Sequence, residues 1–362
     1  MNLKIQYRLV LLLMLMPFIA LANTGVEFAK TTKERNIKKS FNVSSSATVK
    51  VNNSFGNLNI ITWDKNRVEF DITIKVTGNN AEKVQERLDR IDVEFSSSND
   101  LVSAITEIGK NEKSWWNWGK KMNLKMEIDY IIKMPMTNNV DLTNKFGSID
   151  LDKLKGSSKI RCDHGKITTK ELLSNSNVIN FNHTRNCYFE YIKEGEISAN
   201  HSGFTVAKTE KITIKANHTK STIENVENVK YDCNFGSIEV DNVNNLDGKS
   251  NHLTVRIGTI FKDLELSTSH GSLKIGRVAS KASSIMIDSR FTSTTIGFDT
   301  DFNFNFDLDF QHGSLRDSEG FNFTNKEVNH TSKKYNGYYG SKDSGNFVKI
   351  KSQHGSVSFK KI

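Results

Sequence analysis

The stretch Ser269–Ile275 reads SHGSLKI, and near copies of it return as DHGKI at Asp163–Ile167, QHGSL at Gln311–Leu315 and QHGSV at Gln353–Val357. A histidine set repeatedly before a glycine allows two readings. Either the imidazoles bind something, or they mark a corner of the fold. Aligning the chain on the residue before that glycine gives thirteen anchors: Phe55, Phe146, His164, His183, His201, His218, Phe235, His252, His270, Phe291, His312, His330 and His354. All nine histidines of the protein are among them, and from Phe146 onward the spacing runs from 17 to 24 residues.

The flanks repeat as well. Apolar residues stand six and four positions before the anchor, as in Val140 and Leu142, Leu264 and Leu266, and Val348 and Ile350. Others stand three and five positions after it, as in Ile149 and Leu151, Leu273 and Ile275, and Val357 and Phe359. Alternation by two is the period of a strand with one buried face. The residue after the anchor is Gly in seven repeats and Ser or Thr in five. Each unit therefore reads strand, corner, strand, turn, too short for a repeat that contains a helix. The expected fold is mainly all-β: a single-stranded β-solenoid or β-helix with coils of about 18 residues stacked ~4.8 Å apart, plus a small α+β cap near the N-terminus.

Counting the alternation through the corner turns the anchor inward. Phenylalanine replaces histidine at four anchors, which a metal site would not accept and a stack of flat rings would. The anchors are thus expected to form a structural aromatic ladder. The competing reading, metal binding by His164, His183, His201 and His218, lacks carboxylate or cysteine partners that recur beside them. No metal and no cofactor are expected. Asn precedes the anchor at Asn182, Asn200, Asn217, Asn234, Asn251 and Asn329, where amides could bond from repeat to repeat.

Four segments are expected. Residues 1–22 read as a secretory signal peptide: Lys4 and Arg8, the apolar LVLLLMLMPFIA, then Ala20-Leu21-Ala22. Its removal lowers the net charge from +9 to +7 and leaves no apolar run able to span a membrane. Residues 23–63 hold N-terminal strands and a first repeat around Phe55. Residues 64–139 break the pattern and read as the α+β cap, with a helix after Asn80 and strands on either side. Residues 140–362 carry the remaining repeats, and the last of them is expected to leave its end uncapped. Cys162, Cys187 and Cys233 are too few for a disulfide framework and suit small core positions.

These segments resemble a known family. GNLNIITWDKNRVEFDITIKV (Gly56–Val76), the short helix, the step YIIKMP (Tyr130–Pro135) and units such as FGSIDL (Phe146–Leu151) are similar to the bacterial adhesin family of the DUF4097 type. The resemblance implies an exported β-solenoid of the cell envelope and brings no catalytic residues. The frequent His at the anchor departs from it.

Two candidate binding features follow. SWWNWGKK carries Trp115, Trp116 and Trp118, either packed over an end of the stack or exposed as a platform for sugar rings or a lipid interface, with Lys120 and Lys121 beside it. Two positions after the anchor stand Ser237, Thr254, Ser272, Ser293, Ser314, Ser332 and Ser356. Four positions after it stand Arg256, Lys274, Arg316 and Lys334, with Lys166, Arg185 and Lys220 earlier in the chain. A hydroxyl face beside a basic column suits a glycan or another anionic envelope component. Nucleic acid is not expected as a partner. The function read from the sequence is a non-enzymatic, exported envelope or surface protein located in the periplasm, at the outer surface or in the medium. The alternatives are a polysaccharide-degrading enzyme on a β-helix, or a purely structural or signalling element of the periplasm.

Overall fold

The computed structural model describes residues 30–109 and 124–362. The described residues form twenty-one β-strands and one α-helix, and one sheet joins all the strands. The signal-peptide segment lies outside the described residues. Among those described, no helix is long and apolar enough to cross a membrane.

The alternation in the sequence is the alternation of burial. β8 (Asn139–Lys145) buries Val140 and Leu142, and β9 (Ser148–Leu151) buries Ile149 and Leu151. β10 (Ser158–Asp163) and β12 (Asn177–Asn182) continue β8 in parallel register, with Ile160 between Leu142 and Ile179. β11 (Lys166–Leu172) and β13 (Cys187–Asn200) continue β9 in the same way. Strands before the corner pair with their equivalents in the next repeat, and so do strands after it. β14 (Gly203–Val278) is extended backbone that passes four corners, at His218, Phe235, His252 and His270, and β15 (Ser284–Phe298) passes one more, at Phe291. The inward side chains merge into one apolar core. Each fully buried Val, Leu or Ile contributes about 1.5–3 kcal/mol, and no repeat could bury its apolar face alone.

Chain order and spatial order part at the C-terminal end. β20 (Phe347–Gln353) lies between β15 and β16 (Phe304–Gln311), parallel to both. β21 (Ser356–Lys361) lies likewise between β15 and β17 (Ser314–Arg316). The last repeat is therefore enclosed, which corrects the expectation of an uncapped final coil. Beyond β16, β18 (Phe321–Val328) and β19 (Ser332–Tyr339) form an antiparallel hairpin that pairs with β16 through β19.

The N-terminal end has a related arrangement. β2 (Thr48–Ser54) pairs with both β6 (Leu101–Ile108) and β8, and β3 (Leu58–Trp63) with both β7 (Lys125–Pro135) and β9. β1 (Thr31–Asn42) and β7 flank β4 (Arg67–Gly78) in antiparallel register, and β5 (Ile91–Ser97) pairs with β6. The helix α1 (Ala81–Asp89) packs on β1 and β4 through Val84 and Leu88. The Asn80 side chain accepts the Lys83 amide at 3.0 Å, as an N-cap should.

Candidate functional site

Twelve of the thirteen anchors stand at positive φ, between 47° and 65°. This left-handed region costs a non-glycine residue about 1–2 kcal/mol. What it supplies is direction. The anchor amide turns to the next repeat: His164 donates to the Asn182 carbonyl, His183 to that of Asn200 and His201 to that of Asn217, each at 3.0 Å. The side chain turns out. Phe146, Phe235 and Phe291 are 44%, 42% and 52% exposed, and every histidine anchor is exposed. The expected inward orientation is thereby corrected. A left-handed residue interrupts the two-residue alternation, so parity counted through the corner fails. The following residue turns inward instead, as buried Thr184, Thr219 and Thr292 do.

The glycines after the anchors answer to space. A Cβ on Gly147 would lie 1.8 Å from the Gly56 carbonyl oxygen, and one on Gly165 would lie 1.9 Å from that of Gly147. Repeats touch backbone to backbone at this corner.

The outward rings stack. In spatial order they are Phe55, Phe146, His164, His183, His201, His218, Phe235, His252, His270, Phe291, His354 and His312. Neighbouring centroids are 4.7–5.2 Å apart and the ring planes lie within 20° of parallel. His330 lies outside the ladder, at the turn between β18 and β19, because residues 321–339 fold back as a hairpin instead of adding a parallel repeat.

Stacking dictates what the ladder can do. The ring faces cover one another, so the edges meet solvent, and a sugar ring could not lie flat on them. Among the described residues, no group of three or more His, Cys, Asp or Glu is placed to hold a metal. Ser269 Oγ lies 2.8 Å from His270 Nδ1.

The columns beside the ladder carry the charge. Immediately before the rings stand Lys145 and Arg290, and within two to four positions after them stand Lys166, Arg185, Lys220, Arg256, Lys274 and Arg316. All eight are exposed, and none lies within ion-pair distance of a described carboxylate. Lys145 and Arg290 escaped the sequence reading, which noted only the asparagines at their position. The same anchor alignment contains them. The hydroxyl column holds where Ser272 registers with Ser293 and Ser356 with Ser314.

Part of the expected pattern moves elsewhere. Lys334 and Ser332 sit on the hairpin strand β19, where Lys334 registers with Asp309 and Glu327. The basic column four positions after the anchor is broken. Lys274 is followed by Thr295 and then Ser358 before Arg316. The amide ladder is short, with Asn200 bonding Asn182 at 3.0 Å and Asn182 bonding Asp163 at 2.8 Å. Asn329 instead turns to Ser332. Trp115, Trp116 and Trp118, with Lys120 and Lys121, lie outside the described residues.

The face formed by the strands before the corner is a shallow trough. One hollow in it, about 430 Å³, is lined by Lys211, Lys230, Asp247, Glu265 and Met286 among others. Several of its lysines are paired, Lys230 with Asp247 at 2.8 Å, Lys215 with Glu196 and Lys159 with Asp141, both at 3.2 Å, whereas Lys249 and Lys351 are in no ion pair with a described carboxylate. The three cysteines are free and buried, and burial pushes the Cys162 and Cys233 thiols up to about 12. They serve as small core residues and not as nucleophiles.

No family model and no curated protein matches the chain. Solved structures similar to it include a candidate cell adhesion protein from Clostridium sporogenes, 11% identical, with 91% of this chain and 100% of that one covered at a TM-score of 0.18. A candidate adhesin from Parabacteroides merdae is 9% identical, covering 90% of this chain and 96% of its own at a TM-score of 0.31. A candidate lipid binding protein from Parabacteroides distasonis is 11% identical, covering 90% and 96% at 0.28. At these scores neither a shared fold nor a shared ligand follows, and the names stay with those proteins.

Proposed function

We propose that this chain is an exported, non-enzymatic protein of the cell envelope or cell surface that holds an extended anionic polymer, a glycan or another envelope component, along the ring ladder. In this reading the repeats are coils of a β-solenoid, and residues 64–139 form its α+β cap. An adhesive role at the surface is the finer form of the same proposal. One observation carries the ligand class: eight exposed basic residues without described carboxylate partners border a single row of stacked rings. A row that repeats every 4.7–5.2 Å suits a linear chain better than a compact ligand. Unpaired charge on both sides supplies long-range attraction.

The test compares retention of polygalacturonate and of neutral dextran by the purified full-length protein as salt is raised. Selective binding of the polyanion that weakens with salt is the expected result. Equal binding of both polymers, or of neither at low salt, would overturn the ligand class. Release of new reducing ends would overturn the non-enzymatic reading. Protease shaving of intact cells tests export to the surface, where peptides of the ridge should be freed while a periplasmic control stays whole.

A further inference from the structure

The position of the last repeat has a physical cause in its charges. Lys351 registers with Asp288 of β15 on one side and with Asp309 of β16 on the other. Lys349 registers with Met286 and Asp307, and its Nζ lies 4.0 Å from Asp307 Oδ2. Were β15 to meet β16 directly in the present registers, Asp288 would face Asp309. Like charges directly opposite destabilise a strand pair. The segment 347–361 separates these carboxylates and sets Lys351 in register between them. It buries Val348, Ile350, Val357 and Phe359 and sets His354 between Phe291 and His312.

Both walls of this slot precede its occupant in the chain. β15 and β16 do not pair with each other, and residues 347–361 pair with both. They follow residues 340–346, GSKDSGN, a turn in which Gly340, Asp343 and Gly345 take positive φ and in which Ser341, Ser344 and Asn346 donate to Asn303. Every contact that the segment makes in its own slot is available in the identical slot of another molecule.

We infer that the slot between β15 and β16–β17 also accepts residues 347–361 of a second copy of this chain, so that two molecules join by exchanging their C-terminal strands. Charge complementarity names the partner, since a basic alternating strand is required and the chain itself carries one. Exchange of an identical element needs no new interface.

Met286 and Lys349 face each other across β15 and β20. Chains bearing M286C are mixed with chains bearing K349C, unfolded, and refolded together at high concentration. Only exchange brings these two thiols side by side. The expected result is a covalent heterodimer on the order of tenfold above a control mixture of K215C with K349C, whose positions do not meet in either arrangement. The double variant M286C/K349C, closing within one chain, checks the geometry of the bond. If it closes while the mixture stays at the control level, the inference is overturned. A reading without engineered cysteines, under reducing conditions, runs alongside. The wild-type chain refolded at rising concentration should yield a dimer that separates only on unfolding, and a monomer at every concentration overturns the inference.

Discussion

The trough face and the ladder ridge are built from the same repeats, yet they use charge in opposite ways. In the trough, a lysine of one repeat meets a carboxylate of the next, as in Lys230 with Asp247 and Lys215 with Glu196. Along the ridge, Lys220 and Arg290 have no such partner, and Lys274 registers with Thr295. Paired charge tells each repeat which neighbour to accept. Unpaired charge leaves attraction to spare for something outside the molecule. The difference separates residues that specify the stack from residues free to recognise a ligand.

The largest expected effect breaks this comparison on the ridge. Replacing Lys166, Lys220, Arg256 and Lys274 together by Glu should weaken polyanion binding by about a hundredfold or more, since each basic residue near an anionic surface contributes about 1 kcal/mol. The denaturation midpoint should barely move, because exposed substitutions away from special features usually stay within about 0.5 kcal/mol. Titration calorimetry and urea unfolding on the same sample check both halves. Lost stability with retained binding would reverse the roles assigned to the two faces.

A smaller effect is expected from the trough. Lys351→Glu sets three like charges in a row with Asp288 and Asp309 and should cost about 1–2 kcal/mol, from two cross-strand repulsions. Adding Asp288→Lys and Asp309→Lys should restore most of the loss. Polyanion affinity should be unchanged throughout, and urea midpoints with calorimetry again read both.

Much of this was legible in the sequence. The repeat, the strand alternation and the near-complete row of rings follow from periods of two and of about 18 residues, and the helix after Asn80 from the helical spacing of Ala81, Val84 and Leu88. What failed did so for local or long-range reasons. The ring orientation was inverted because a single left-handed residue, such as His201, leaves no mark on apolar periodicity. His330 and Lys334 matched the repeat in spacing, but residues 321–339 turn back as a hairpin. The intercalation of residues 347–361 is a matter of which strands meet. Its only trace in the sequence is the charge complementarity of Lys349 and Lys351 with Asp288, Asp307 and Asp309, which becomes readable once the registers are known.

The smallest effect tests the ladder that borders both faces. At His201, the left-handed backbone favours glycine, while the ring stacks on His183 at 5.1 Å and on His218 at 4.8 Å. If the corner mattered only as backbone, His201→Gly would stabilise the protein by about 1 kcal/mol through relief of strain. If the rings hold neighbouring repeats in register, two stacking contacts of about 0.5–1.5 kcal/mol each are lost, and a net destabilisation of up to ~2 kcal/mol remains. The second outcome is expected, with His201→Phe close to wild type because it keeps the stack. The sign of the shift in urea midpoint decides, and a stabilised His201→Gly would mean that the ridge is held by its backbone alone, leaving its rings free for recognition together with the unpaired charges beside them.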